Sequence, residues 1–173
     1  MTYFIDFDDT LFDTPKYVEY LRLKSGVMNP NDKLSEAELF NLLKQNTSTS
    51  ERVFAPGELA QFLYFDVPEF LRAMGNEATI ITQGDPEVQK LKVQSALFGI
   101  PRVNTFYIGA MSKGEYLVPR IEAYIQPIFI DNSAEELGEV ARLLPNISLY
   151  EMRRDGAAAH GHWPVLHALG RLG

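Results

Sequence analysis

Short apolar runs recur along the chain, and several of them end on a polar side chain. Tyr3 to Ile5 is followed by Asp6, Ala78 to Thr82 closes on a hydroxyl, and Pro127 to Asp131 closes on a carboxylate. Thr105 to Ile108 is a weaker run, and Ile147 to Tyr150 is the last. Runs this short, bounded by turn residues, predict buried strands. Between them lie segments with helical patterning. Asp85 caps a helix predicted from Pro86 to about Phe98, and further helices are predicted over Lys113 to Tyr124, Ala134 to Leu144 and Val165 to Leu172. Alternating strands and helices imply a parallel sheet with right-handed crossovers.

The stretch from Asp13 to about Phe65 does not alternate. Pro15 to Lys24 has a helical pattern, with proline suited to a first helical position. Gly26 to Lys33 is turn-rich, and Ser35-Glu36-Ala37-Glu38 is a capping box ahead of Leu39, Phe40, Leu42 and Leu43. Asn46 to Ser50 is polar and predicts a loop, and Gly57 to Met74 predicts a helix broken near Pro68. The expected organisation is therefore an α/β core of residues 1–12 and 66–173, interrupted by a small helical insert of residues 13–65.

Composition narrows the functional classes. The chain has 173 residues, enough for one core with a modest insert, and 46% of them are hydrophobic. There is no cysteine, which removes disulfides and thiolate metal sites. Net charge is −7 and no basic stripe appears, so nucleic acid is not expected as a partner. No apolar run is long enough to span a membrane. Neither a basic leader nor a cleavage site precedes the first strand, and a cytoplasmic location is expected.

The candidate chemistry sits at the strand ends. Asp6 and Asp8 stand one residue apart where the first strand stops. Two carboxylates so close raise each other's pKa, a cost that a bound cation or a proton transfer explains. Open α/β sheets place their ligand crevice at the carboxyl ends of the strands. After the second strand, Thr82-Gln83-Gly84-Asp85-Pro86 offers a hydroxyl, a flexible glycine and free N–H groups at a helix N-terminus, an anion site. Lys113 opens a helix after the third strand. Asp131 ends the fourth, with Asn132, Ser133 and Glu135 beyond it. Three carboxylates, Asp6, Asp8 and Asp131, form a hard oxygen site that suits Mg²⁺. Thr82, the Gln83-Gly84 backbone and Lys113 are the candidate phosphate binders. Phosphoryl transfer needs mostly positioning and charge neutralisation, which is what these parts supply.

Asp6-Phe7-Asp8-Asp9-Thr10-Leu11 resembles the first motif of the haloacid dehalogenase-like hydrolases. Thr82, Lys113 and Asp131 are similar to the second, third and fourth motifs in order and approximate spacing. The resemblance implies a three-layer Rossmann-like sheet of order 5-4-1-2-3, with the insert as a cap. It implies Asp6 as nucleophile and Asp8 as general acid/base. Mg²⁺ would be held by the side chains of Asp6 and Asp131 and the backbone carbonyl of Asp8. Thr82 and Lys113 would bind the transferring phosphoryl group. The dehalogenases that name the superfamily lack an acid at the position of Asp8, so its presence points to the phosphatases. Two departures stand out. Asn132 stands where a second acid often directly follows the first, and Glu135 where an aspartate often lies a turn later, which leaves Glu135 as the candidate outer-shell partner. Gly114 stands where a proline usually follows the lysine. Arg120 is the fallback cation.

The expected function is a Mg²⁺-dependent phosphohydrolase acting on a small phosphorylated molecule through an aspartyl-phosphate. The alternatives are a catalytically weak binding or regulatory protein of the same fold, and phosphotransfer to an acceptor other than water. Asp9 is expected to bond the turn rather than take part in chemistry. His160-Gly161-His162-Trp163 reads as a surface loop, and the aromatic residues Phe54, Phe62, Tyr64, Phe65 and Phe70 as packing between insert and core.

Overall fold

Six parallel strands form one sheet in the order β3-β2-β1-β4-β5-β6. They are β1 (Thr2–Ile5), β2 (Ala78–Thr82), β3 (Asn104–Tyr107), β4 (Pro127–Asp131), β5 (Ser148–Met152) and β6 (Val165–Leu166). In this computed structural model all residues are described except 28, 30, 31, 48–52, 102, 159, 161 and 173, and the side chain of residue 171. The first five strands take the expected order, and β6 extends the sheet beyond β5. β1 is central, paired with β2 and β4. Alternation along it sends Tyr3 and Ile5 to one buried face and Phe4 to the other. Ile80 and Ile81 divide in the same way, as do Ile130 and Phe129. Both faces are covered, as a parallel sheet requires.

The helices are α1 (Thr14–Lys24), α2 (Glu36–Asn46), α3 (Val67–Met74), α4 (Pro86–Ala96), α5 (Lys113–Leu117) and α6 (Ala134–Leu143). Asp13 caps α1 through Lys16 N, and the capping box of Ser35 and Glu38 starts α2. Asp85 caps α4 by accepting from the N–H groups of Glu87 and Val88. Tyr17 and Leu21 of α1, and Leu39, Phe40 and Leu43 of α2, share one buried cluster with Ile5, Phe7 and Ile80 of the core. The second sheet face is packed by Leu117, Leu137 and Val140. Among the described residues no helix is long and apolar enough to cross a membrane.

Three expected elements differ. Val165 to Leu172 is not a helix: Val165 and Leu166 pair with Glu151 and Met152, and a 3-10 turn follows over Leu169–Arg171. β-branched Val165 favours a strand and Gly170 weakens a helix of that length, and edge pairing wins. α5 ends at Leu117 rather than Tyr124, because Pro119 has no N–H to continue it. Gly57 to Met74 is divided into a 3-10 turn, Glu58–Phe62, and α3; Pro68 lies in the first turn of α3 instead of interrupting a longer helix. Phe54, Phe62 and Phe70 are buried, but Phe65 is 88% exposed at the turn before α3. The loop expected over Asn46 to Ser50 lies partly outside the described residues, as does Gly161 of the histidine stretch.

Candidate active site

The N–H of Asp6 donates to Ile130 O at 2.9 Å, carrying the β1–β4 pairing one residue past the strand. This sets Asp6 beside Asp131, which ends β4. Lys113, at the start of α5, reaches both. Its Nζ lies 2.6 Å from Asp6 Oδ1 and 2.6 Å from Asp131 Oδ2. Ser112 and Glu115 form a capping box at that helix start, and Lys113 N donates to Glu136 of α6. Gly114 allows the close approach of α5 to α6: a Cβ there would stand 2.9 Å from Leu143 Cδ1. A larger residue after the lysine would require Leu143 to move. Asp131 is fixed further by Ser133 N, which donates to its Oδ1 at 2.8 Å.

All three side chains are buried, with residue exposures of 5% for Asp6, 3% for Lys113 and 0% for Asp131. Burial raises the Asp6 carboxyl to about 8, against the opposing pull of Lys113 and with added push from Asp131 and Asp8. Burial also raises Asp131. For Lys113, burial works against the charge, but Asp6 and Asp131 together outweigh it and hold the ammonium firmly protonated. With both carboxylates ionised, one ammonium leaves an uncompensated negative charge in a buried place. A proton on Asp6, or a further cation, relieves that charge.

After Asp6 the chain makes a tight turn. Leu11 N and Phe12 N both donate to Phe7 O, and Asp9 takes a φ of +58°, a conformation that aspartate tolerates. Asp9 Oδ1 accepts from Thr14 N, so it bonds the turn. The Asp8 side chain takes partners of its own. Its Oδ1 accepts from Thr14 Oγ1 at 2.8 Å and from Lys92 Nζ at 2.7 Å, and its Oδ2 accepts from Gln89 Nε2 at 3.1 Å. Thr82 Oγ1 donates to Gln89 Oε1 at 3.0 Å, so one glutamine ties the second strand end to Asp8. Gly84, at φ +108°, spends its N–H on Gly109 O, and the Gln83 side chain donates to Met111 O.

The structure therefore brings Asp6, Lys113 and Asp131 into direct contact and links Asp8 to Thr82 through Gln89. Among the described residues no group of three His, Cys, Asp or Glu side chains is arranged around one metal position. Asp6 Oδ1 and Asp131 Oδ2 converge on Lys113 Nζ, so these two carboxylates are the hard oxygen donors that stand near enough to share a cation, while the Asp8 carboxylate bonds Thr14, Lys92 and Gln89. Arg120 is remote in its contacts, donating to Tyr116 O and lying over the Tyr116 ring. Asn132 accepts from Thr10 Oγ1 at 3.3 Å.

Several site residues escaped the sequence reading. Gln89 and Lys92 bond Asp8, Glu36 bonds Lys92, and Lys92 is wholly buried. The available signal was phase: Lys92 lies four residues after Val88 and four before Ala96, on the buried side of α4. Arg154, after β5, supports the turn from the other side. Its Nε donates to Thr10 O and its Nη1 binds both carboxylate oxygens of Asp66. It lies over the Tyr64 ring, 4.5 Å from the centroid. An open cavity of about 340 Å³ adjoins this turn, lined among others by Asp9, Tyr64, Asn132 and Arg154.

No family model matches the chain, and no curated protein does. Solved structures do. A protein of Burkholderia xenovorans described as a haloacid dehalogenase-like hydrolase is 17% identical, with a TM-score of 0.68, over 99% of this chain and 94% of that one. YfnB of Bacillus subtilis, a HAD-hydrolase bound to magnesium, is 15% identical with a TM-score of 0.63, over 99% and 96%. CbbY of Rhodobacter sphaeroides, in complex with a xylulose bisphosphate, is 14% identical with a TM-score of 0.53, over 99% and 96%. The order of the five leading strands, the flanking helices and these neighbours agree: the chain has the fold of the haloacid dehalogenase-like hydrolases.

Proposed function

We propose that this chain is a Mg²⁺-dependent phosphohydrolase acting on a small phosphorylated molecule through an aspartyl-phosphate. The observation that carries the reading is Lys113 bridging Asp6 and Asp131, with Asp8, two residues beyond Asp6, bonded to Lys92 instead. A magnesium-bound neighbour and one holding a sugar bisphosphate support the cofactor and the substrate class.

In this reading Asp6 attacks phosphorus, a P–O bond forms and the ester P–O bond breaks. Asp8 gives a proton to the leaving oxygen. Asp8 then takes a proton from water, which attacks the same phosphorus and releases phosphate, restoring Asp6. Lys113 orients Asp6 and neutralises charge on the phosphoryl group. The Thr82 hydroxyl and the Gln83-Gly84 segment would complete the phosphate site, Thr82 exchanging its bond to Gln89, and the Gly84 N–H its bond to Gly109 O, for bonds to phosphate. Asp6, Asp131 and the backbone carbonyl of Asp8 would hold Mg²⁺, which supplies charge neutralisation to the phosphoryl oxygens when bound. Residues 13–65 would act as a cap that excludes water and selects the substrate. The protein would work in the cytoplasm without nucleic acid or membrane partners.

The direct test is Asp6→Asn assayed with a generic aryl phosphate in Mg²⁺. Turnover should vanish, and acid-quenched wild-type protein should retain labelled phosphate on Asp6. Full activity in that variant overturns the assignment.

A further inference from the structure

Lys92 is a buried cation to which the reaction above gives no part. Its side chain is fully enclosed, with Nζ 2.7 Å from Asp8 Oδ1 and 2.9 Å from Glu36 Oε1. Nζ also lies 5.4 Å from the Tyr17 ring centroid and 5.7 Å from that of Phe12. A buried ammonium is expensive, and a core position on α4 is served as well by leucine. What the lysine adds is a fixed donor on Asp8. Thr14 shares the same oxygen and Gln89 holds the other, so rotation of the carboxylate breaks at least one of three bonds. Glu36, the first residue of α2, anchors the far side of the ammonium. Two helices, α1 and α4, thus meet on one carboxylate, and α2 reaches it through Lys92.

We infer that Lys92 is a positioning residue for Asp8, and that Glu36 of the insert acts through Lys92 to set the direction of that carboxylate. The inference rests on the reading of Asp8 as general acid/base. It gives the insert a part in proton delivery, separate from covering the site. An ester whose leaving group departs without a proton should feel little of this; an ester whose leaving oxygen must be protonated should feel all of it.

The experiment compares kcat/KM for nitrophenyl phosphate and phenyl phosphate in the full chain, its Asp8→Asn, Lys92→Met and Glu36→Gln variants, and the Lys92→Met/Glu36→Gln double variant. General acids contribute roughly a hundredfold to ten-thousandfold. Lys92→Met should therefore lose about tenfold or more on phenyl phosphate beyond its loss on nitrophenyl phosphate. Glu36→Gln should show the same selectivity more weakly, and adding it to Lys92→Met should change nothing further. Glu36→Gln leaves Lys92 paired with Asp8, so it keeps the test alive if Lys92→Met does not fold. Equal losses on both esters, or full additivity in the double variant, would make Lys92 a structural ion pair and overturn the inference alone. A wild-type chain without phosphatase activity, or an Asp8→Asn variant without leaving-group selectivity, overturns the acid/base reading and this inference with it.

Discussion

Lys113 and Asp6 meet Nζ to Oδ1 at 2.6 Å although 107 residues separate them in sequence. The contact is built by the sheet: β1 and β4 bring Asp6 to Asp131, and α5 delivers the lysine between them. Neither carboxylate has another ammonium within salt-bridge distance among the described residues. Removing the lysine therefore leaves two buried acids facing each other.

Lys113→Met should accordingly lose stability. Breaking a buried pair by deleting one partner costs about 3–5 kcal/mol, chiefly through the charge left behind. The loss is read from urea midpoints in chelator at neutral pH. Part of it should return on addition of Mg²⁺, because a cation would then face the same two carboxylates. A midpoint equal to that of the unaltered chain would mean that the pair contributes nothing to the fold.

The raised Asp6 carboxyl makes a second prediction, about pH. Its folded value of about 8 lies above the ordinary carboxylate value of 3.8. Between those limits the folded chain holds a proton that the unfolded chain has released. Stability from this group is therefore present at low pH and is lost as pH rises through the folded value. The Asp6→Asn variant lacks the effect. In chelator, its stability relative to the unaltered chain should climb from about pH 5 to about pH 8, with a slope on the order of 1 kcal/mol per pH unit. Parallel stability curves for the two proteins would contradict the burial argument.

Much of this site was legible because its parts lie at strand ends. An apolar run that stops on Asp6, Thr82 or Asp131 announces both a strand and the side of the sheet where chemistry gathers. Lys113 was legible as the cation opening the intervening helix. The surroundings of Asp8 were not. Gln89 and Lys92 are 81 and 84 residues from Asp8, and Glu36 is 56 from Lys92, so no local pattern joins them. Only the phase of Lys92, among Val88, Val93 and Ala96, marked a polar residue on a buried face. β6 was illegible for a related reason. Two residues carry no periodicity, and their strand character comes from Glu151 and Met152 beside them. Aspartate at residue 66 gave no sign of its partner either, because Arg154 lies 88 residues away.

That Arg154–Asp66 pair carries the third prediction. Both side chains are nearly buried, the contacts are 2.8 and 2.9 Å, and Arg154 also donates to Thr10 O in the turn after Asp6. Asp66 in addition accepts from Leu169 N. Arg154→Ala should cost about 3 kcal/mol, and Asp66→Asn a similar amount. The double variant should lose clearly less than the sum, since each single change already breaks the shared contact. Denaturation of all four proteins measures the coupling, and simple additivity would refute it.

The fourth prediction concerns Gly84. Its φ of +108° is one that side-chain-bearing residues rarely adopt. A Cβ there would also stand 3.2 Å from Gln89 Nε2, the atom that donates to Asp8. Gly84→Ala should therefore act twice. The backbone conformation should cost about 1–3 kcal/mol, visible as a lower urea midpoint. The crowding should push Gln89 away from Asp8 and Thr82, lowering kcat on an aryl phosphate in protein that is still folded. Gln89→Ala separates the two effects, because it loses the Asp8 contact without straining the backbone at Gly84. If crowding of Gln89 is what lowers turnover, the two variants should share the kinetic defect and differ in stability. A Gly84→Ala protein that is destabilised but turns over normally when folded would show that the glycine serves the turn alone.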